Sequence, residues 1–358
     1  MGAPPTPSSF AAGARAGGGV AGAVARVIAI LIAFATSARA DVRFESDAPL
    51  SLFVERSYVV WTPNRIAIRG DPQSPVPLIF EAQIAPNLFV PQLHIGAVGD
   101  PSGELVISAV ITPMIRLRML SEKSSPVIPP SFMPKLTLQL VYLLSLAKPD
   151  GAIRAALALG LNLILGHYSN GEAGCFYADQ AGSDPDCTPQ PGQLPLNERS
   201  GSFSTNYVRA ELHGLLGLDI DTGTGAAWIL LGGLGADLNS SVGPGGIGDD
   251  QRRVYGDGHL WARVGAERSW RGHRARLSGA ISGPFGETPH QGATTTVELS
   301  MLPRWAGGFG AVVRWVHGQD DYNILFLESV NLWQFGLVFE LGPGLRPPPS
   351  PQPTGFAN

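Results

Sequence analysis

Apolar and polar residues alternate with a period of two along most of the chain, in stretches of roughly ten residues or more between turn-forming residues. This period predicts β-strands, and about ten residues is the length that a tilted strand needs to cross a bilayer. Eleven or twelve strands can be counted, and an even number is expected of such a barrel. The clearest predicted strands are 50–61, 104–119, 135–146, 153–169, 202–221, 226–238, 259–270, 273–282, 294–302, 310–317 and 331–341, with weaker candidates between 77 and 98.

Clusters of Gly, Pro, Asp and Ser separate the predicted strands. The long clusters at 121–131, 171–201, 239–250 and 283–291 alternate with short connections, as in a barrel with long loops at one end and tight turns at the other. One of them contains Gly243, Gly245 and Gly248, which satisfy the Gly-x-Gly-x-x-Gly pattern. We expect no helix after these glycines and therefore no nucleotide site.

The composition favours membrane strands over membrane helices. Charged residues make up only 15% of the chain, which has 45 glycines, and no stretch of eighteen apolar residues follows position 40. The net charge of -4, without a basic stripe, argues against a nucleic-acid partner. We therefore predict an all-β fold, a transmembrane antiparallel β-barrel of about twelve strands.

The first forty residues are typical of an export signal. Arg15 and Arg26 precede an apolar run at 27–35 that is too short to span a bilayer, and Ala38-Arg39-Ala40 suggests cleavage before Asp41. We expect a signal peptide at 1–40, one barrel domain at 41–343 and a proline-rich disordered tail at 344–358.

Cys175 and Cys187 are the two cysteines of the chain, and both lie in the 171–201 cluster. In an exported protein they are expected to form a disulfide that closes a surface loop, with free thiols as the alternative. Two thiols without a nearby histidine are too few ligands for a zinc site.

A candidate for chemistry lies at the end of the predicted strand 153–169, in the run His167-Tyr168-Ser169-Asn170-Gly171. His167 and Ser169 share a strand face with the leucines at 161, 163 and 165, and Asn206 shares the apolar face of the next strand. A nucleophile, a base and an orienting amide would thus face lipid, where polar groups are costly unless they satisfy one another. The alternative is an ordinary strand end at the membrane interface.

These residues resemble the outer-membrane phospholipase A family, twelve-stranded barrels that hydrolyse acyl esters of phospholipids from the outer wall. The resemblance rests on His167-x-Ser169-Asn170-Gly171, on Ser202 and Asn206 in a Ser-x-x-x-Asn spacing, and on Asp321-Tyr322-Asn323 before the last strand. It implies a phospholipase A1/A2-type carboxylic ester hydrolase in the bacterial outer membrane, with phospholipid and outer-membrane lipids as partners and a homodimer as its assembly.

The resemblance also implies a role for each site residue. Ser169 would be the nucleophile, His167 the general base and Asn206 the residue that orients the imidazole. The family places calcium beside the nucleophile, so Ca²⁺ is the expected cofactor, with Ser202 and Glu172 as its ligands here. Glu172 stands where the family usually has an arginine, the stretch 172–201 replaces a short connection, and Phe339 stands in for the usual terminal aromatic residue.

Two other functions fit parts of the pattern. A lipid A deacylase-like barrel also carries a His-x-Ser-Asn sequence on its lipid face, but it is about half this length and uses a Glu as third member. In a non-catalytic barrel or pore, the His167-Tyr168-Ser169-Asn170-Gly171 run would only form the edge of a loop. In that case the lumen-facing residues would line or plug a channel: Arg209, Glu211, Asp219 and Asp221.

Overall fold

The computed structural model describes residues 42–45, 54–66, 76–90, 92–95, 103–121, 127–147, 153–178, 187, 196–198, 200–221, 225–286 and 292–340. The predicted signal peptide at 1–40 and the predicted tail at 344–358 lie outside these ranges. Among the residues described, no helix combines the length and hydropathy needed to cross a membrane.

The described chain consists almost entirely of β-strands. The segments are β1 (Val42–Glu45), β2 (Ser57–Trp61), β3 (Arg65–Ile66), β4 (Val76–Ile84), β5 (Leu88–Phe89), β6 (Gln92–Ile95), β7 (Glu104–Thr112), β8 (Ile115–Leu120), β9 (Val127–Phe132), β10 (Lys135–Ala147), β11 (Ile153–Ser169), β12 (Ser204–Asp221), β13 (Gly225–Ser240), β14 (Gly258–Trp270), β15 (His273–Phe285), β16 (Thr294–Leu302), β17 (Phe309–Gln319) and β18 (Ser329–Phe339). One helix, α1 (Asp249–Tyr255), lies between β13 and β14.

These segments form a closed barrel of twelve antiparallel strands, as the alternation predicts. The first four strands are interrupted and comprise β1 to β3, β4 to β6, β7 with β8, and β9 with β10, whereas β11 to β18 are each continuous. Prolines explain two of the interruptions, Pro113 after β7 and Pro134 before β10, because proline cannot donate a ladder hydrogen bond. Each strand pairs with the next, and β18 pairs with β2 to close the ring.

The barrel wall separates an apolar outside from a polar inside. Outward side chains such as Leu165, Val208 and Val264 are 59%, 51% and 67% exposed. The inward side carries ion pairs, among them Arg209 with Asp237 at 2.8 Å. An apolar band outside and a polar interior are the pattern of a barrel surrounded by lipid.

The segment between β17 and β18 folds back into the barrel and occupies its mouth. Tyr322 is fully buried there, and its ring lies 4.4 Å from the guanidinium of Arg118. Arg118 donates to Asp320 at 2.5 Å and to Glu81 at 2.7 Å, so the segment is fastened to the inner wall by charge as well as by packing. We call the segment 320–328 the plug.

The connections between β11 and β12 and between β13 and β14 meet the plug at one end of the barrel. Aromatic and aliphatic side chains from these connections, the plug and the adjoining strand ends form one buried group that we call the mouth cluster: Ala85, Met114, Met133, Tyr168, Phe176, Tyr177, Leu196, Phe203, Ile247, Val254, Ile324 and Phe326. Phe176, Tyr177 and Leu196 come from the 171–201 stretch, whose described residues therefore help to close the mouth. The predicted disulfide between Cys175 and Cys187 is present in this stretch.

Some predicted boundaries are wrong. The 121–131 cluster was expected to be a connection, but it contains most of β9, including Pro129 and Pro130. Pairing with β8 holds this segment as a strand. The 239–250 cluster begins inside β13, which ends at Ser240, and β15 runs three residues beyond its predicted end to Phe285. Contrary to expectation, helix α1 follows Gly248. Its Val254 is a member of the mouth cluster, and its Tyr255 packs against that cluster.

Replacing Tyr322 by alanine should lower the free energy of unfolding by about 3–5 kcal/mol, because it leaves a cavity among fully buried groups. Denaturant-induced unfolding in detergent micelles measures the change. The control is Trp305→Ala, which removes an aromatic side chain that is 83% exposed and should cost under about 0.5 kcal/mol. Equal losses for the two variants would contradict the plug's structural role.

Candidate active site

The strand pairing brings His167, Ser169 and Asn206 together on the outer wall. In the ladder between β11 and β12, His167 lies opposite Asn206 and Ser169 lies opposite Ser204. All four side chains point outward, on the same side as the exposed Leu165 and Val208 one step down the wall. The geometry thus places the three predicted catalytic residues in one patch on the lipid-facing side of the barrel.

A hydrogen bond of 2.8 Å joins His167 Nδ1 to Asn206 Oδ1 across the two strands. The amide nitrogen of Asn206 donates to two backbone carbonyls of the following loop, Val242 O at 2.9 Å and Pro244 O at 3.1 Å. The third group of the predicted constellation therefore contacts the imidazole and is itself held by a loop.

Ser169 is two residues from His167 on the same strand face. Within the described part of the chain, no side-chain hydrogen bond joins the Ser169 hydroxyl to the imidazole. In ligand-free sites such bonds are often long and tighten only in the substrate complex. The assignment of Ser169 and His167 to one site therefore rests on their common strand face and their separation of two residues.

Asn170 fastens the loop after Ser169, a role that the sequence did not reveal. It is 2% exposed, its Nδ2 donates to Gly201 O at 2.6 Å, and its Oδ1 accepts from Phe203 N at 3.0 Å and from Glu172 N at 3.2 Å. One side chain thus ties the end of β11 to the start of β12. Its position directly after Ser169 in the His167-Tyr168-Ser169-Asn170-Gly171 run was the available signal in the sequence.

Tyr168 holds the same strand end from inside the barrel. Its hydroxyl donates to Asp321 O at 3.3 Å and accepts a short hydrogen bond from Asn323 N, both in the plug. Its ring packs edge-on against Phe203 in the mouth cluster. Residues on either side of Tyr168 face lipid, so the plug buttresses the wall directly behind His167 and Ser169.

The predicted calcium ligands lie on the two segments that Asn170 connects. Glu172 follows Gly171, and Ser202 precedes Phe203, with its backbone N–H bonded to Gly174 O at 2.7 Å. The carbonyl of Ser202 accepts one hydrogen bond, from Gln251 at 3.0 Å, and a carbonyl oxygen has two lone pairs. Both the carbonyl and the hydroxyl oxygen of Ser202 are therefore suitable ligand atoms for a cation. No cluster of three or more His, Cys, Asp or Glu suited to a metal occurs in the described ranges.

The polar residues of the lumen form their own network. His213 and Glu211 are 3.0 Å apart, and Asn162 donates to Glu211 at 3.2 Å. Arg209 binds Asp237. In the long-loop region, burial raises the pKa of Tyr255 well above its usual range, which keeps this ring neutral beneath the loops.

Fold and surface together define a twelve-stranded antiparallel barrel of the outer-membrane type, with a polar patch on its apolar wall. Similar solved structures include outer membrane phospholipase A from Escherichia coli, at 15% identity over 83% of this chain and 94% of that one, with a TM-score of 0.45. They also include the Salmonella typhi outer membrane phospholipase dimer with bound calcium, at 14% identity over 82% and 93%, with a TM-score of 0.44. A Rh. blastica porin mutant is similar at 8% identity over 84% and 100%, with a TM-score of 0.24.

No family model matches the sequence, and a search of curated proteins gave no match.

Replacing Asn170 by alanine should lower the free energy of unfolding by about 1–3 kcal/mol, because it leaves buried backbone groups of Gly201 and Phe203 without their partner. Thermal unfolding in detergent checks this. Asn331→Ala is the control, since it removes a single exposed hydrogen bond to Trp315. A smaller loss for Asn170→Ala than for Asn331→Ala would contradict the proposed fastening.

Proposed function

We propose that the protein is an outer-membrane phospholipase that hydrolyses acyl ester bonds with a lipid-facing Ser169-His167-Asn206 triad. The observation that carries the proposal is the 2.8 Å contact between His167 Nδ1 and Asn206 Oδ1 on the apolar outer wall. Ser169 lies two residues from the imidazole on the same face. A base held by a third group beside a hydroxyl is the arrangement of an activated serine nucleophile.

The position of the patch favours a function over an ordinary strand end. A strand end at the membrane interface explains why polar residues occur there. It does not explain an amide whose oxygen meets the imidazole while its nitrogen is bonded twice to one loop. The neighbouring outward residues Leu165 and Val208 are apolar and exposed, so an acyl chain can lie against the wall beside the polar groups.

The chemistry follows from the roles of the three side chains. The Ser169 hydroxyl attacks the ester carbonyl while His167 Nε2 accepts its proton, and the C–O bond to the lysolipid then breaks as the imidazolium returns the proton to the leaving alkoxide. The same imidazole then accepts a proton from water, which attacks the acyl-serine and releases the fatty acid as the serine hydroxyl is restored. Asn206 orients the imidazole but stabilises the imidazolium less than a carboxylate would, because its amide has no charge.

The proposal includes a calcium ion with Ser202 and Glu172 as its ligands. A hydroxyl and a carboxylate are hard oxygen donors, which fits the ion, although calcium takes six to eight oxygens. Waters, backbone carbonyls or a second subunit would complete the set, so a homodimer belongs to the same proposal. When bound, the ion would stabilise negative charge that develops on the ester oxygen.

The rival functions fit this chain less well. The lipid A deacylase-like barrel takes a glutamate as third member, whereas an amide contacts His167 here. A pore needs an open lumen, but the plug and the mouth cluster fill one end of the barrel, and Arg209 and Glu211 bind neighbouring side chains. Asp219 lies exposed near the short-turn end of β12.

Ser169→Ala should lower the rate of phospholipid ester cleavage by at least about 1000-fold, because the nucleophile is removed. The assay releases fatty acid from phosphatidylcholine in mixed detergent micelles with Ca²⁺, and a parallel sample contains chelator. Ser204→Ala is the matched control, since Ser204 is the register partner of Ser169 on the next strand and shares its exterior face.

The proposal predicts activity in the wild type and in Ser204→Ala, with loss in Ser169→Ala and on chelation. Cleavage of lipid A alone would favour the deacylase alternative. No cleavage of either lipid by folded wild-type protein would refute hydrolysis at this site.

The same purified protein should give no stable ion-conducting steps in planar bilayers, because the mouth cluster and the plug obstruct the lumen. A porin inserted under identical conditions is the positive control. Reproducible conductance steps from the wild type would support the pore alternative instead.

A further inference from the structure

The loop after β13 contacts the candidate site at two places. Val242 O and Pro244 O accept the two hydrogen bonds of the Asn206 amide nitrogen, and Gly245 lies against the imidazole of His167. The two carbonyls belong to residues that lie 36 and 38 positions beyond Asn206 in the chain. We call residues 242–245 the amide clamp.

The clamp determines which way round the Asn206 amide lies. An amide nitrogen has two hydrogens, and both are used by the carbonyls at 2.9 and 3.1 Å. A flipped amide would place its oxygen against these two carbonyl oxygens, which is repulsive. The Asn206 oxygen must therefore be the atom that faces His167, where it can only accept a hydrogen bond.

The orientation of the amide in turn fixes the tautomer of His167. Since Asn206 Oδ1 has no hydrogen, Nδ1 of the neutral imidazole must carry one to form the 2.8 Å contact. Nε2 then holds the lone pair. That is the nitrogen required to accept the serine proton in the function proposed above.

Gly245 limits the position of the imidazole from the other side. It has a φ of +73°, and a Cβ there would lie 2.6 Å from Cε1 of His167. Real Cβ atoms do not approach so closely, so any larger residue would displace either the ring or the loop. Only glycine allows the backbone to lie against the ring.

The clamp is itself held at both ends. Val242 N donates to the Ser240 hydroxyl at 3.1 Å, and Ile247 N donates to Ser240 O at 3.0 Å. Ile247 is buried in the mouth cluster. The loop is therefore fastened to the barrel on either side of the residues that contact the site.

We propose that the amide clamp is a positioning element that selects the Nδ1–H tautomer of His167 by orienting Asn206. The inference rests on the function proposed above for its catalytic meaning, but its structural claim is independent of activity. It also gives a reason for an amide at position 206. An aspartate there would turn a carboxylate oxygen toward Val242 O and Pro244 O, with no hydrogen to share.

The test measures the tautomer directly. Wild-type protein with ¹⁵N-labelled histidine, folded in detergent micelles at a pH where the ring is neutral, is examined by NMR, and the His167 signals are assigned by their loss in His167→Gln. We expect protonated Nδ1 and unprotonated Nε2. A neutral His167 with its proton on Nε2 in the wild type would overturn the proposal without reference to any variant.

Variants then test whether the clamp is the cause. Gly245→Ala should convert His167 to a mixture of tautomers and lower kcat on phosphatidylcholine by about 100-fold, with KM little changed. Ser240→Ala removes the hydroxyl that accepts from Val242 N without straining the backbone, and it should lower kcat about fivefold. Asn206→Asp should also lower kcat, although a carboxylate is the better partner for an imidazolium.

Gly307→Ala is the matched control for a strained glycine, because Gly307 has a φ of +58° and nothing within 4 Å of an added Cβ. Folded Gly245→Ala with the wild-type tautomer and kcat would overturn the proposal, as would raised kcat in Asn206→Asp. If no lipid is cleaved but the tautomer depends on the clamp, the proposed function fails and this inference stands. If Ser169-dependent cleavage occurs without that tautomer, this inference fails and the proposed function stands.

Discussion

The register between β11 and β12 is the constraint on which the candidate site depends. Fifteen consecutive residue pairs fix it, from Ala155 with Leu218 to Ser169 with Ser204. A slip of one residue would turn the leucines of the wall inward and the lumen-facing Asn162 outward into hydrocarbon. The same register places His167 opposite Asn206, so the cost of exposing polar residues to lipid fixes the geometry of the patch.

The outer patch and the inner plug are two sides of one strand end. Tyr168 faces inward between His167 and Ser169 and binds backbone groups of Asp321 and Asn323. Asn170 then fastens the turn to the start of β12. Because alternate residues of a strand point to opposite faces, each inward anchor restrains an outward neighbour. A patch facing fluid lipid can in this way be held by a packed protein interior.

Period-two alternation sufficed to predict the barrel, the faces of its strands and the patch on β11 and β12. The faces follow from neighbouring residues within one strand, and consecutive strands of a barrel pair in chain order, which brings β11 and β12 side by side. The disulfide in the 171–201 stretch also followed, from export and cysteine count. The phospholipase roles of Ser169, His167 and Asn206, with Ser202 and Glu172 as calcium ligands, remain proposals.

What the sequence did not reveal comes from contacts between distant segments. The contact of Tyr168 with the plug joins residues 155 positions apart, and the two carbonyls that hold Asn206 come from a loop whose glycine pattern suggested no role in the site. The helix α1 is only seven residues long, too short to be stable alone, and forms where Val254 can be buried in the mouth cluster. Local pattern cannot encode such contacts.

We propose that Ser169 is an activated nucleophile on the outer wall of the barrel. The most direct test is covalent labelling with a long-chain alkyl fluorophosphonate in detergent, followed by peptide mass spectrometry. We expect a single stoichiometric adduct on Ser169, absent from His167→Ala and from heat-unfolded protein, with Ser204 unlabelled. No adduct on folded wild-type protein, or equal labelling of Ser204, would contradict it.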